Sequence, residues 1–180
     1  MALAIGCKLT QNITRTSNCG YNLAEINKIY LANLEDIAES GITIGTGASE
    51  SCEDVTAIDS GITWYLIEPA KGSASFTDEL VVEDNGGKYR THTITFNITG
   101  KYDKDMVCPV DALSLGRFFV VVATADGEYL ALGRKTGLEA SEQSVSGGGD
   151  SNGITVTLSA NVTESAVPLS AAAIAVVKGE

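Results

Sequence analysis

The chain has 180 residues, 44% hydrophobic and 19% charged, which suits one globular domain with a real core and excludes a disordered chain. A chain of this length removes about 70% of its unfolded surface from water. Its 23 acidic against 12 basic side chains leave a net charge of −11, which argues against gripping nucleic-acid phosphates through clustered Lys and Arg, though not against a surface that repels DNA.

Residues 1–20 carry little periodicity and are rich in Thr, Asn and Gly, so an extended arm is expected there. The opening MALAIGCKLTQ has neither the basic region nor the apolar run of a signal peptide. Six residues before Cys7 are too few for a lipoprotein signal, so synthesis in the cytoplasm is expected. The run IYLANLEDI, Ile29 to Ile37, starts as a strand and turns at Asn33. Residues 41–61 bring Gly, Ser and acid together and read as a long loop or a loosely held hairpin. ITWYLIEP is a compact β run containing Trp64, Tyr65 and Ile67, closed by Pro69. Ser73–Val82 and Lys88–Ile98 flank EDNGG, where Asn-Gly between two β-rich runs marks a hairpin. Its second arm alternates, with His92, Ile94, Phe96 and Ile98 on one face and Thr91, Thr93, Thr95 and Asn97 on the other.

DKDMVCPVDALSLG is the helix candidate: Met106, Val110 and Leu113 fall four and three apart, with Gly116 as the stop. Pro109 sits inside, so the helix is kinked or begins later. Asp126-Gly127 turns between strands Phe118–Ala123 and Glu128–Leu132. Gly137–Ser146 continues as a strand, a glycine-rich loop occupies 147–153, and Ile154–Val162 alternates strictly. AAAIAVV at the end reads as a last strand or a short helix. Seven or eight β segments with one helix give a mainly β fold, an antiparallel sandwich or barrel with one flanking α-helix, in a single domain spanning 1–180. No stretch approaches the roughly 20 apolar residues of a membrane-spanning helix.

Little in the chain points to catalysis. Cys7, Cys19, Cys52 and Cys108 are scattered, with no CxxC pair and one histidine, which argues against zinc; buried free thiols are expected, with Cys7–Cys19 the one bridge worth considering. The Asn-x-Thr triplets at Asn12, Asn97 and Asn161 carry little meaning without secretion. His92 lies on an apolar strand face with no G-x-S-x-G or comparable motif, and reads as a partly buried strand histidine. GTGAS at 45–49 lacks the Lys-Ser/Thr of a phosphate loop. The acids Glu50/Glu53/Asp54 and Asp78/Glu79/Glu83/Asp84 lack calcium-cage spacing and read as solvated faces. With Trp64 as the one tryptophan, a sugar platform is thin. No catalytic residue, metal or cofactor is expected. The threonine faces say more: a sheet with one wet, uncharged face has edges that must be paired by design, and neighbouring copies can do so. A glycine hinge before the last long strand would let that strand reach a partner on another chain.

The stretch GRFFVVVATADGEYLALGRKTGLEASEQSVSGGGDSNGITVTLSANVTESAVPL, residues 116–169, resembles the C-terminal half of tail tube proteins of long-tailed bacteriophages. The shared features are a hairpin leading into G-x-x-x-GLE, a glycine-rich loop with Asp, and an NG-I-T-V-T strand. GYNLAEINKIYLANLEDI is similar to the opening of tube-like proteins from phages of Bacteroidetes. The likeness covers residues 19–40 and 85–170; residues 41–61 match nothing in the family pattern, and VTESAVPL matches its ending loosely. The resemblance implies a virion protein, made in the host cytoplasm, that stacks in hexameric rings. Long hairpins would join an inter-subunit sheet around a channel through which DNA passes without specific binding, in contact with other tail proteins and no membrane. Placed by position, Thr91, Thr93, Thr95, Asn97, Glu139, Ser141, Thr155, Thr157 and Ser159 fall on the lumen or inter-subunit hairpins. Gly45, Gly47, Gly147, Gly148, Gly149, Asp150 and Asn152 fall in ring-stacking loops. The alternatives are a phage head decoration or head–tail connector protein and, from another class, a β-sandwich carbohydrate- or adhesin-like binding module; an enzyme ranks behind both.

Overall fold

The computed structural model describes residues 25–38, 40–45, 54–99, 104–147 and 153–179. The expected arm at 1–20, with Cys7 and Cys19, lies outside them. In chain order the elements are β1 (Ile26–Asn33), a 3-10 turn (Leu34–Asp36), β2 (Ile42–Ile44), β3 (Val55–Ile58), β4 (Tyr65–Ile67), β5 (Ser75–Val82) and β6 (Lys88–Ile98). Then follow α1 (Lys104–Leu115), β7 (Arg117–Thr124), β8 (Tyr129–Leu132), β9 (Leu138–Ser146), β10 (Gly153–Val162), β11 (Val167–Pro168) and α2 (Ala171–Lys178).

The run RFFVVVAT is apolar without alternation because β7 is covered on both faces. One edge of β7 pairs along its length with β1, from Asn33 opposite Phe118 to Ile26 opposite Thr124, and β1 in turn pairs with β4. The other edge is shared. β8 takes Val120 to Ala123, and the first residues of β9, Leu138 and Glu139, take Phe118 and Arg117. β8 and β9 are thus one strand interrupted by a detour, GRKTG, whose ends meet where the Gly137 N–H donates to the Gly133 carbonyl at 2.8 Å. Both glycines have positive φ, 64° at Gly133 and 72° at Gly137, which side-chain-bearing residues resist. Beyond Glu139, β9 leaves β7 and pairs with β10; the order continues through β6 to β5.

One antiparallel sheet therefore has two halves, β4-β1-β7-β8-β11 and β9-β10-β6-β5. Their inner faces share a core of Ile29, Leu31, Phe118, Val120 and Val122 from the first with Ile94, Phe96, Ile154, Val156 and Leu158 from the second. α1 adds Val110 and Leu113 to this core, with Met106 packed at its margin. Pro109 sits within an unbroken helix; it lies in the second turn, where its missing N–H removes one intrahelical bond. The outer face of the first half carries a second core. Tyr30, Phe119, Val121 and Ala131 meet β3 and α2 through Val55, Ile58, Ala173 and Val177.

Two expectations change and one alternative is resolved. The flanking helices number two among the described residues: AAAIAVV is helical because Ser170 caps it, accepting from the Ala173 N–H at 3.3 Å, and Gly179 closes it at φ 75°. Of the two readings of 41–61, long loop or loosely held hairpin, the structure shows the hairpin, with β2 and β3 paired. And β10, the strand after the glycine-rich loop, finds both its partners, β9 and β6, in its own chain. Both hairpin turns that the dipeptides mark are present, Asn85-Gly86 between β5 and β6 and Asp126-Gly127 between β7 and β8. Each is a four-residue turn with its glycine last: Gly86 N–H to the Glu83 carbonyl at 2.9 Å and Gly127 N–H to the Thr124 carbonyl at 3.0 Å.

Phe96, fully buried between the halves, is expected to cost about 3–5 kcal/mol when replaced by alanine. Gly137→Ala is expected to cost about 1–3 kcal/mol through its positive φ and through contact with Leu34 and the Arg117 Cβ. Urea denaturation midpoints at constant slope check both.

Candidate functional site

Two places in the fold concentrate polar side chains with defined geometry. The first is the outer face of β9-β10-β6-β5. Register puts Thr91 opposite Asn161, Thr93 opposite Ser159, Thr95 opposite Thr157 and Asn97 opposite Thr155. These pairs bond across the strands: Thr91 Oγ1 donates to Asn161 Oδ1 at 3.0 Å, the Thr95 and Thr157 hydroxyls meet at 3.1 Å, and Asn97 Nδ2 donates to Thr155 Oγ1 at 2.9 Å. Such ladders are the sheet's counterpart of helical i,i+4 pairs. On the far side of β6, Ser75, Thr77 and Glu79 extend the face opposite Thr95, Thr93 and Thr91. On β9, Glu139 faces Ser159, Glu142 faces Thr157 and Ser144 faces Thr155.

Eight of the nine expected hairpin residues thus reach one face. Ser141 differs. The register slips between Leu158–Ala140 and Thr157–Glu142, so Ser141 is the extra residue of a bulge, and its hydroxyl donates to the Thr157 carbonyl at 3.2 Å. Ser75, Thr77, Glu79, Glu142 and Ser144 were missed; β5 and β9 do not alternate apolar with polar residues as β6 and β10 do, whereas Asn161 shares the parity of Thr155, Thr157 and Ser159 on β10. Charge on this face is acidic and peripheral: Glu79 and Glu142 are exposed, and Glu139 pairs with Arg117 at 2.8 Å in water.

The flanks of this half are open among the described residues. β5 pairs only through β6, and β9 beyond Glu139 pairs only with β10. β5 exposes Leu80 and Val82, at 56% and 58%, and β9 exposes Val145. Of the expected ring-stacking residues, Gly45 follows β2, its N–H donating to the Asp54 carbonyl at 3.1 Å, and Gly147 follows β9 with open space around it. Gly47, Gly148, Gly149, Asp150 and Asn152 lie outside the described residues. Trp64 packs on Phe119, ring centroids 5.5 Å apart.

The second place is buried. Asp78 faces His92 across β5 and β6 on the core side of the sheet. It does not join its neighbours Glu79, Glu83 and Asp84 in solvent, as a cluster of solvated acids would require: alternation turns it inward. Its Oδ1 accepts from Arg90 Nε at 2.6 Å and lies 3.3 Å from His92 Nε2; its Oδ2 accepts from the Ala166 N–H at 2.9 Å. His92 is fully buried, where partial burial was expected, and its Nδ1 accepts from the Gly133 N–H at 3.1 Å. Nε2 therefore carries the proton of the neutral ring and is turned toward Asp78. Glu164, also buried, accepts from the backbone N–H groups of Lys135 at 3.0 Å and Thr163 at 3.2 Å.

Burial pushes the His92 imidazole below its ordinary 6.5, while the Asp78 and Glu164 carboxylates pull the other way. Burial alone would raise the Asp78 carboxyl; hydrogen bonds from Arg90 and Ala166 and the charges of His92 and Arg90 outweigh it and hold the group below 3.8. The Gly133 N–H occupies Nδ1, while Nε2 lies 3.3 Å from Asp78 Oδ1 and makes no hydrogen bond. No group of three or more His, Cys, Asp or Glu side chains among the described residues is placed to hold a metal ion. Cys108 is a free thiol but exposed on α1, where a buried one was expected, because it lies on the helix face turned away from Val110 and Leu113.

No protein-family model matches the chain, and no curated protein matches it. The class that the structure defines is a mainly β protein built on one large antiparallel sheet with two flanking helices. No helix among the described residues is long and apolar enough to cross a membrane.

Asp78→Asn is expected to cost about 2–3 kcal/mol, since it weakens charge-assisted bonds to Arg90 and Ala166. Depressed folded-state values for both His92 and Asp78 mean that the unfolded chain binds more protons in acid. Stability is therefore expected to hold above 6.5, decline as pH falls below it, and decline further below 3.8. Urea midpoints at about pH 7.5, 5.5, 4.5 and 3 read both effects.

Proposed function

We propose that this chain is a structural, self-assembling virion protein. In this reading it is the subunit of a phage tail tube, closing into hexameric rings that stack around a channel for DNA and meet other tail proteins along the virion tail. The observation that carries the reading is the four-stranded half β9-β10-β6-β5. Its two long hairpins lie side by side, its outer face is hydroxyl-rich, and each flank ends in an open strand edge. An open edge presents unpaired N–H and C=O groups that another strand can complete. A sheet with one open edge on each side supports a head-to-tail contact, β5 of one copy beside β9 of the next, and such heterologous contacts form a ring when the rotation between copies closes.

Size is compatible with a channel. Six copies would contribute about 24 strands; at roughly 4.8 Å spacing and about 40° tilt, the closed barrel has a backbone diameter near 50 Å. The outer face would then become the lumen. Threonine and serine offer DNA no cationic grip, Glu139 neutralises Arg117, and the peripheral Glu79 and Glu142 repel phosphate, so a duplex could slide. Trp64, packed against Phe119, is not displayed as a sugar platform, which weighs against a carbohydrate-binding module.

Electron microscopy and light scattering over a concentration series test the reading. Rings or hollow tubes are expected above a threshold concentration. The double variant Leu80→Lys/Val82→Lys is expected to raise that threshold at least about tenfold, equivalent to roughly 1.4 kcal/mol per contact, with its circular dichroism unchanged. A wild-type protein that stays monomeric at millimolar concentration would sink the proposal.

A further inference from the structure

The polypeptide passes between the two halves of the sheet at the Asp78–His92 pair. One crossover is the detour Gly133–Gly137, which carries the chain from β8 to β9. Another is the segment 163–166, which carries it from β10 to β11. Each is held by a backbone N–H given to this cluster: Gly133 to His92 Nδ1 at 3.1 Å and Ala166 to Asp78 Oδ2 at 2.9 Å. Glu164 joins the two crossovers directly, since it belongs to one and accepts from Lys135 of the other at 3.0 Å. The β5–β6 hairpin thus reaches the detour through the buried imidazole of His92 and the 163–166 segment through Asp78, whose Oδ1 lies 3.3 Å from His92 Nε2.

We propose that His92, with Asp78 and Glu164, is an acid-sensitive latch that holds both crossovers closed at neutral pH and releases them when the imidazole takes a second proton.

The chemistry follows from which nitrogen is free. In the neutral ring, Nδ1 is the acceptor that the Gly133 N–H needs. Protonation turns Nδ1 into a donor, so two N–H groups then face each other at 3.1 Å and the contact is lost. The new charge is buried, which is costly unless the site opens to water. Asp78 on β5 and Glu164 after β10 favour the charged ring, Arg90 on β6 opposes it, and Arg134 and Lys135 add positive charge to the detour itself. Opening restores hydration to the imidazolium and frees the Gly133 and Ala166 amides. The latch is independent of the tail-tube reading, because it concerns one chain folded on its own.

Hydrogen exchange followed by NMR on the wild-type protein, with each rate divided by the intrinsic rate at that pH, measures the opening. Gly133 and Ala166 are expected to share an opening constant that starts to rise below about pH 6.5, by up to tenfold per pH unit. Val121, fully buried in the centre of β7, serves as the control: it opens only with the whole fold and is expected to stay far better protected than Gly133 and Ala166 at every pH in the range. The imidazole 15N shifts are expected to report the Nε2–H tautomer at pH 7.5 and to titrate together with the loss of Gly133 protection. His92→Asn keeps a short acceptor near Gly133 but cannot titrate, and its two amides are expected to show no such rise. Three outcomes overturn the latch: equal protection of both amides at pH 7 and pH 5, a rise that begins only in the carboxylate range, or the same rise in His92→Asn. Should that variant not fold, the wild-type comparison of Gly133 and Ala166 with Val121 and the imidazole titration decides alone.

Discussion

Strand β7 must be covered on both faces and along both edges, and the rest of the molecule is arranged to do it. Phe118, Val120 and Val122 point into the core between the sheet halves, while Phe119, Val121 and Ala123 point into the core beneath β3 and α2. At roughly 25 cal/mol per Å² of apolar surface, the six consecutive buried residues Phe118 to Ala123 concentrate more of the driving force than any other strand among the described residues. Satisfying its backbone is equally strict. β1 takes one edge, but the other is too long for β8, so the chain makes the Gly133–Gly137 detour and returns with Leu138 to finish the pairing. That return sends β9 away from β7 and founds the second half of the sheet.

From this geometry the hydroxyl face follows. The four strands β9-β10-β6-β5 have only one face to bury, and β6 and β10 alternate accordingly. On the exposed side, rows of Thr, Ser and Asn are bonded across strands rather than to charged partners, which keeps the face wet, uncharged at its centre and rigid. A face of this kind resists nonspecific ion pairing, and its acids sit at the margins. The exposed apolar residues fall on the open edges instead, Leu80 and Val82 on β5 and Val145 on β9, where a soluble monomer would gain nothing from them.

The buried polar cluster answers a different requirement. Two crossovers leave backbone N–H groups where water is excluded, and each unsatisfied group would cost about 1–3 kcal/mol. Asp78, His92 and Glu164 supply the acceptors. A carboxylate is tolerable inside because Arg90 and Ala166 bond it, and a histidine because it stays neutral. Neutrality is what makes the arrangement dependent on pH.

Read alone, the sequence determined whatever depends on local periodicity and turn chemistry: the alternation of β6 and β10, the Asn85-Gly86 and Asp126-Gly127 turns, the helix over Met106 to Leu113, and the mainly β class. It also marked most of the hydroxyl face, because a period of two assigns side chains to faces without knowledge of the partner strand. Tertiary structure alone decided the partners. That β6 lies beside β10, about sixty residues apart, rests on long-range pairing that no local pattern encodes, and it brought the glycine-preceded strand into the middle of its own sheet rather than to its edge. Asp78 illustrates the same limit, for in sequence it stands in an acidic run, and only its register against His92 turns it inward. The final helix was ambiguous for the same reason: Ala and Val balance in propensity, and the Ser170 cap held against β3 tips them.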